Sequence, residues 1–215
     1  MRLLLIRHGQ TIDNVRGELG TVIPGPPLTD LGHAQAEALP AALAEERIEA
    51  IYTSVMQRTQ LTARPLSRAT GVPTTVIEGI HEISAGEYEA RADREAIHAY
   101  LATIFSWWES LEGRLPGGES GAEFSERYTR AIDTIASRHS GTVAVVSHGA
   151  AIRTWASWIA HNVDAEFSRA HDLANTGVVA LEGSPAAGWV VTEWAGEPVG
   201  GPQWDDRLAA DPIGH

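Results

Sequence analysis

Two short apolar runs, far apart in the chain, end in the same way, with a histidine followed by a glycine. They are Leu3-Leu4-Leu5-Ile6-Arg7-His8-Gly9 and Thr142-Val143-Ala144-Val145-Val146-Ser147-His148-Gly149. A continuous apolar run of strand length is typical of a strand buried on both faces of a sheet. In open α/β sheets, ligands bind beyond the carboxyl ends of the strands. We therefore expect His8 and His148 to meet in one crevice, with Gly9 allowing a sharp exit from the first strand.

The rest of the pattern alternates predicted strands with predicted helices. Strands are indicated at 48–54 and 74–77, and a Gly/Pro turn joins a strand pair at 176–181 and 189–194. Helices are indicated at 29–46 with Thr29 as N-cap, from 55 onward, at 93–112, at 121–138 after a Ser120–Glu123 capping box, and at 150–159. This alternation predicts an α/β fold.

The helix predicted at 93–112 has one apolar face. The residues of that stripe are Ile97, Leu101, Ile104, Phe105 and Trp108. Because residues at this spacing share one side of a helix, the stripe is expected to pack in the core. Trp107 lies off the stripe and is expected to be exposed or to cover a pocket.

Length and cysteine content limit the class of protein. The 215 residues can bury a large core and are assigned to one domain, residues 1–195, followed by a C-terminal tail, residues 196–215, that lies on the surface or is disordered. The absence of cysteine removes disulfides, zinc–thiolate sites and cysteine nucleophiles. The first apolar run is too short for a signal peptide, and no stretch approaches the ~18 apolar residues of a membrane span. A cytoplasmic location is therefore expected.

The charge of the chain limits its partners. The formal net charge of -12 argues against binding to nucleic acid or to an anionic membrane, because both require a basic surface. A cationic pocket must then be a local feature of an acidic protein. The expected partner is a small molecule, and a homodimer is left open.

The residues that follow the strands suit phosphoryl chemistry. Neutral imidazole is a common nucleophile near neutral pH, and Arg7 adds a planar charged fork that matches phosphoryl oxygens. Arg58 lies in the first turn of a helix after the second strand, where backbone amides already favour anions. Taken singly, Arg58 could be a solvated helix charge and Asn14 an ordinary turn residue. Together with the carboxylates of 78–89, one of which could act as a general acid, they favour a phosphate site.

Six ordered motifs resemble those of the histidine phosphatase superfamily, the phosphoglycerate mutase-like fold, over about residues 3–182. They are Leu5-Ile6-Arg7-His8-Gly9-Gln10-Thr11-x-x-Asn14, Pro27-Leu28-Thr29-x-x-Gly32-x-x-Gln35-Ala36, Ser54-x-x-x-Arg58-x-x-x-Thr62-Ala63, Glu82-x-x-x-Gly86-x-x-Glu89, Gly118-Glu119-Ser120 and Ser147-His148-Gly149. Gln10 stands where the family commonly has Glu, and the third motif lacks the usual proline after its serine. The resemblance implies a three-layer α/β sandwich with a mostly parallel central sheet flanked by helices.

The resemblance also implies roles for these residues. His8 would attack phosphorus and become phosphohistidine, and Glu82 would protonate the leaving alkoxide and later activate water. The implied catalytic residues are His8, Glu82, Arg7, Arg58 and His148. The implied substrate- or phosphate-binding residues are Arg7, Asn14, Arg58, His148, Gly149, Gln10 and Thr21. No metal and no cofactor are required, since cationic side chains take the place of a metal ion.

The implied activity is hydrolysis of a small phosphomonoester, and three other functions are alternatives to it. Phosphoglycerate mutase-type phosphotransfer is disfavoured because residues 90–117 lack the basic, proline-containing insert of those mutases. A catalytically silent phospho-ligand binding protein would be expected to lose His8 or Glu82, and both are present. A histidine-ligated metalloenzyme is disfavoured because no His-x-x-x-His pair occurs. Pocket walls are expected from 20–26, 84–92 and Trp107–Trp108.

Overall fold

A six-stranded sheet forms the centre of the computed structural model, which describes residues 1–206 and 208–212. The strands are β1 (Arg2–Arg7), β2 (Ile48–Thr53), β3 (Thr74–Val76), β4 (Thr142–Ser147), β5 (Val178–Ser184) and β6 (Gly188–Ala195), in the order β3-β2-β4-β1-β5-β6. Strands β3, β2, β4 and β1 are parallel, and β5 runs antiparallel to both β1 and β6. The register pairs Arg7 with Ser147, so His8 and His148 emerge side by side at one edge of the sheet.

Helices cover both faces of the sheet. They are α1 (Ile12–Arg16), α2 (Asp30–Ala42), α3 (Gln57–Thr70), α4 (Arg94–Ser106), α5 (Gly121–Ala136), α6 (Gly149–Ile159) and α7 (Ala165–Ala170). Alternate residues of β1 enter two separate cores, as the two-residue period of a strand requires. Leu4 and Ile6 pack with side chains of α2 and α3, whereas Leu3 and Leu5 share a core with α4, α5 and α6. The predicted three-layer α/β sandwich is therefore confirmed.

Two predicted helices end earlier than expected. Helix α2 ends at Ala42 rather than near residue 46, and α4 ends at Ser106 rather than at 112. The N-cap at Thr29 is confirmed, because its side chain accepts a hydrogen bond from the Gly32 amide. The Ser120 capping box is also confirmed. Helices α1 and α7 were not predicted, since five or six residues are too few to show a helical period.

The core-facing stripe of α4 differs from the prediction. The fully buried positions are Ala96, Tyr100, Ile104 and Trp107, whereas Ile97, Leu101, Phe105 and Trp108 are only partly buried. The expectation that Trp107 is exposed or covers a pocket is wrong. Its ring stacks on Phe124 with centroids 5.8 Å apart, and its indole nitrogen donates to the Gly113 carbonyl at 2.7 Å. The predicted stripe differs because the small side chain of Ala96 carries little hydrophobic signal, although it is fully buried.

Gly9 has a different structural reason from the one expected. It is not among the residues with positive φ. A Cβ at Gly9 would lie 2.6 Å from the carbonyl oxygen of Gly32, and a Cβ at Gly32 would lie 2.2 Å from the carbonyl oxygen of Gln10. Two glycines thus allow the loop after β1 to pass directly over the start of α2, which fixes the position of His8.

The chain after β6 returns to the carboxyl end of β1, where His8 is located. It contains a short 3₁₀ turn, Pro202–Trp204, and the carbonyl of Trp204 accepts a hydrogen bond from Gln35 at 2.7 Å. Asp211 is buried. The division into a domain of 1–195 and a tail of 196–215 remains a prediction, and residues 207 and 213–215 of that tail lie outside the described residues. Among the helices of the described ranges, none has the length and apolar character that a membrane crossing requires.

Candidate active site

His8 lies at the floor of a cavity at the carboxyl ends of β1 and β4. Its side chain is buried, and Nδ1 lies 2.8 Å from the carbonyl oxygen of Gly9. Because a carbonyl can only accept, Nδ1 carries the proton and Nε2 keeps its lone pair. Burial, followed by the charges of Arg58 and Arg7, lowers the pKa of His8 well below the ordinary 6.5. The imidazole is therefore neutral at neutral pH, with Nε2 able to act as a nucleophile.

Arg58 reaches the cavity from the first turn of α3. Thr62, one turn later, donates to the Arg58 carbonyl and accepts a hydrogen bond from the Gly9 amide at 2.9 Å, which ties this helix to the His8 loop. The Arg58 guanidinium donates from Nη2 to the Gly20 carbonyl at 3.0 Å and from Nε to Nδ1 of His148 at 3.3 Å. Two of its three nitrogens thus have fixed partners, and their directions set the plane of the group.

Arg7 is the last residue of β1 and is almost fully buried. Its Nη1 donates to the Leu173 carbonyl at 2.7 Å, and its Nη2 lies 2.5 Å from an oxygen of Asp211. Arg7 Nε and Arg58 Nη1 are buried and have no hydrogen-bond partner among residues 1–206 and 208–212. Buried donors without partners are costly, and the oxygens of a phosphoryl group would satisfy both.

His148 lies beside His8, with ring centroids 5.2 Å apart. Its Nδ1 accepts from Arg58, so Nε2 carries the proton and donates to the Ser54 hydroxyl at 2.8 Å. Burial, and then the charge of Arg58, lowers the pKa of His148 well below 6.5, so this ring is also neutral. Both nitrogens are engaged. Direct binding of a phosphoryl oxygen by His148 through Nδ1 therefore requires that Arg58 give up its bond to Nδ1 and that Nδ1 gain a proton, because a phosphoryl oxygen can only accept.

Glu82 takes the place of a side-chain cap on α6. One carboxylate oxygen accepts from the Ile83 amide and the Ala151 amide, both at 2.9 Å, and the other accepts from the Ala150 amide at 3.2 Å. His148, the N-cap residue, makes no such bond. Burial raises the pKa of Glu82 above the ordinary 4.5, although these amides and Arg58 act in the opposite direction. A carboxyl that retains its proton nearer to neutral pH suits a general acid.

Asn14 is oriented by its neighbours. Its Oδ1 accepts from the amide and the hydroxyl of Thr11, each at 3.0 Å, and from Asn175 at 3.3 Å. The side-chain nitrogen Nδ2 of Asn14 is therefore the group left to donate to a ligand. Asn175 also donates to the carbonyl of His8 at 3.0 Å. Sequence reasoning missed Asn175, because nothing in the loop before β5 marks it.

Three further predicted binding residues have different positions. Thr21 lines the cavity and is held by Glu89, which accepts from the Thr21 amide and hydroxyl. Gly149 is the first residue of α6 and is not among the cavity-lining residues. Gln10 is also absent from the cavity wall, because its side chain accepts from the Thr29 hydroxyl at 2.8 Å and donates to Asp206.

An ion pair outside the cavity holds the loop that carries Glu82. Arg127 of α5 pairs with Glu119 at 2.6 Å and donates to the carbonyls of Gly79, His81 and Glu82. Glu119 also accepts from the Ser84 amide. Glu119, in the predicted motif at 118–120, thus supports the loop that carries Glu82. Arg127 itself was not predicted. No local pattern shows that a helix arginine will reach three carbonyls in a distant loop.

The cavity brings together the following described residues: Arg7, His8, Thr11, Asp13, Asn14, Glu18, Leu19, Gly20, Thr21, Arg58, Glu82, Tyr100, Asp211 and Pro212. Six of them were predicted as site residues: His8, Glu82, Arg7, Arg58, Asn14 and Thr21. Asp13, Glu18, Leu19, Tyr100 and the two tail residues were not. In the described ranges, no cluster of three or more His, Asp or Glu side chains is arranged to hold a metal ion.

Comparisons with known proteins agree with this geometry. Residues 3–196 match the histidine phosphatase superfamily (branch 1). A putative phosphoserine phosphatase 2 of Hydrogenobacter thermophilus is 30% identical, over 69% of this chain and 73% of that protein. The PE-PGRS family protein PE_PGRS11 of Mycobacterium tuberculosis is 33% identical over 91% of this chain. The present chain matches 36% of the length of that relative.

A solved structure has the same fold. The mycobacterial glucosyl-3-phosphoglycerate phosphatase complexed with VO3 superposes with a TM-score of 0.76 and 24% identity, covering 91% of this chain and 99% of that one. The match of residues 3–196 to the family model confirms the resemblance drawn from the six motifs. The chain belongs to the histidine phosphatase superfamily, branch 1.

Proposed function

We propose that this chain hydrolyses phosphomonoesters in two steps through a phosphohistidine formed at Nε2 of His8. The chain is a phosphatase that acts on small phosphorylated metabolites, as its family and the phosphatases among its relatives indicate. The observation that carries the mechanism is the lone pair of Nε2, left free by the bond from Nδ1 to Gly9. The buried guanidinium groups of Arg7 and Arg58 stand on the same cavity wall.

In the first step, Nε2 of His8 forms a bond to phosphorus while the ester P–O bond breaks. Glu82 gives its proton to the leaving oxygen. Arg7, Arg58 and the Asn14 amide bind the phosphoryl oxygens, whose charge they stabilise through the transfer. His148 contributes by holding the Arg58 guanidinium through Nδ1.

In the second step, the Glu82 carboxylate accepts a proton from water as the water oxygen attacks phosphorus. The N–P bond breaks, orthophosphate leaves, and both His8 and Glu82 return to their starting protonation states. Dividing the displacement in this way lets one nucleophile and one carboxyl serve both halves of the reaction.

A hydrolysis screen tests the proposed function. We expect release of orthophosphate from a panel of small phosphomonoesters to persist in excess EDTA, because cationic side chains bind the phosphoryl group. Full loss of turnover on chelation, restored by one divalent ion, would overturn the mechanism. A phosphoglycerate mutase assay run alongside tests the alternative, and phosphoryl transfer between substrate oxygens without release of orthophosphate would favour it.

Replacing Arg58 with alanine is expected to lower kcat/KM by on the order of a hundredfold or more, the scale found when one charge-stabilising donor is removed. Orthophosphate, vanadate and tungstate should inhibit the unmodified protein competitively and bind the variant more weakly. Arg64→Ala, an exposed arginine on the same helix, is the matched control. Unchanged hydrolysis by Arg58→Ala would mean that this arginine has no part in the reaction.

A further inference from the structure

A carboxylate from the end of the described chain lies inside the cavity that should receive the phosphoryl group. Asp211 and Pro212 line the same cavity as His8, Arg58 and Glu82. The Asp211 oxygen lies 2.5 Å from Nη2 of Arg7, and the two side chains are 4% and 2% exposed. A charge-assisted bond of this kind, removed from water, is among the stronger polar contacts in proteins.

The segment that carries Asp211 is anchored at several points along its path. Gln35 donates to the Trp204 carbonyl at 2.7 Å, and the Ala210 amide donates to the Val15 carbonyl at 3.4 Å. Gly17 has a left-handed conformation, with φ of 69°, and a Cβ there would lie 2.6 Å from the Ala210 carbonyl oxygen. The loop after α1 therefore fits closely against this part of the chain.

Gln10, the residue after Gly9, also contacts the acidic C-terminal part of the chain. The side-chain nitrogen of Gln10 donates to Asp206 at 2.9 Å. A glutamate at this position would bring a second carboxylate against Asp206, which is unfavourable at hydrogen-bond distance. The neutral amide of Gln10 therefore fits against this acidic segment, whereas a carboxylate at the same position would not.

Asp211 and a phosphoryl group require the same donor. Arg7 has one nitrogen on the Leu173 carbonyl and one on Asp211, and its Nε is buried without a hydrogen-bond partner among the described residues. A carboxylate carries one negative charge, whereas a phosphomonoester dianion carries two and has three terminal oxygens. The dianion can therefore replace the carboxylate on Arg7 while also contacting Arg58.

We propose that residues 208–212 act as an intramolecular inhibitor in which the Asp211 carboxylate takes the place of a phosphoryl oxygen on Arg7 and is displaced when substrate or orthophosphate binds. This inference rests on the proposed function only in taking Arg7 as a phosphate ligand. The observed affinity for phosphate is then reduced by the fraction of protein in which Asp211 is docked.

The test is the affinity for orthophosphate, measured by titration calorimetry on the full chain and on its Asp211→Asn variant. If Asp211 is docked about nine-tenths of the time, the variant should bind orthophosphate about tenfold more tightly. Its KM for p-nitrophenyl phosphate should fall by a similar factor. Asp133→Asn makes the same change of charge at an exposed position on α5 and should leave both quantities unaltered.

The outcomes separate this inference from the proposed function. Weaker or unchanged orthophosphate binding by Asp211→Asn would overturn the inference, because Asp211 would then orient Arg7 or play no part in binding. Tighter binding by a protein that hydrolyses nothing would support the inhibitor and contradict the hydrolase.

A second variant guards against loss of folding in the first. Gln10→Glu should also tighten orthophosphate binding, because its carboxylate repels Asp206 and loosens the segment. If Gln10→Glu weakens orthophosphate binding while the protein remains folded, the inhibitor is contradicted.

Discussion

His8→Ala should lose both turnover and the phosphoenzyme, the largest effect expected from any single substitution in this chain. The imidazole forms the covalent bond that links the protein to phosphorus in the proposed intermediate. Without it, the two-step reaction cannot proceed. Loss of a nucleophile in a covalent enzyme lowers kcat by on the order of a millionfold. The measurement is rapid-quench trapping of phosphoprotein with labelled substrate, together with the steady-state rate.

The matched control for this substitution is His98→Ala, on the exposed side of α4. It removes an imidazole without touching the cavity and should retain turnover and label. Thermal unfolding of both variants shows whether the fold survives, since His8 is buried and its ring is hydrogen-bonded to the Gly9 carbonyl. Labelled phosphate on His8→Ala would show that another residue is the nucleophile.

Glu82→Gln should have the second largest effect, and its size should depend on the leaving group. An alkyl alkoxide leaves poorly without a proton, whereas p-nitrophenolate is a weak base and leaves unaided. We expect a loss of about a hundred- to ten-thousandfold on alkyl phosphates, the usual range for general acid catalysis. The first-step loss on p-nitrophenyl phosphate should be much smaller, with a burst if water attack becomes limiting.

The structure indicates that this variant will fold. The amide oxygen of glutamine can keep the bonds from Ile83 and Ala151, whereas the Ala150 bond is lost, at a cost of about 1–3 kcal/mol. The pH profile gives a second readout. Burial raises the pKa of Glu82, and the protonated acid disappears as pH rises through that pKa. The alkaline limb on alkyl phosphates should therefore vanish in Glu82→Gln. Equal first-step losses on the two leaving groups would remove Glu82 from the acid role.

The elements that set the fold could be predicted because their signals are local. The apolar runs of β1 and β4 contain nearly all the information that places them in the centre of the sheet. Their parallel register then brings His8 and His148 together without further specification. The stripe of α4 was misplaced because Ala96 and Tyr100 have weak or mixed hydrophobic character, although both are fully buried.

Parts of the site could not be predicted because they depend on contacts between distant segments. Arg7 meets Leu173 and Asp211, which lie more than 160 residues away, and no periodicity reports such contacts. Position beside His8 also misled the interpretation of Gln10. Successive side chains at a strand end point in different directions, and this one points to Thr29 and Asp206 instead of the cavity.

Identification of the phosphorylated atom in protein quenched during turnover tests the two-step mechanism most directly. The label should be acid-labile and base-stable, should map to the peptide containing His8, and should lie on Nε2, because Nδ1 is bound to the Gly9 carbonyl. Nuclear magnetic resonance of the phosphopeptide distinguishes the two nitrogens. Phosphate on His8 Nε2 is the predicted result, and phosphate on His148, on a carboxylate or on no residue during rapid turnover would contradict it.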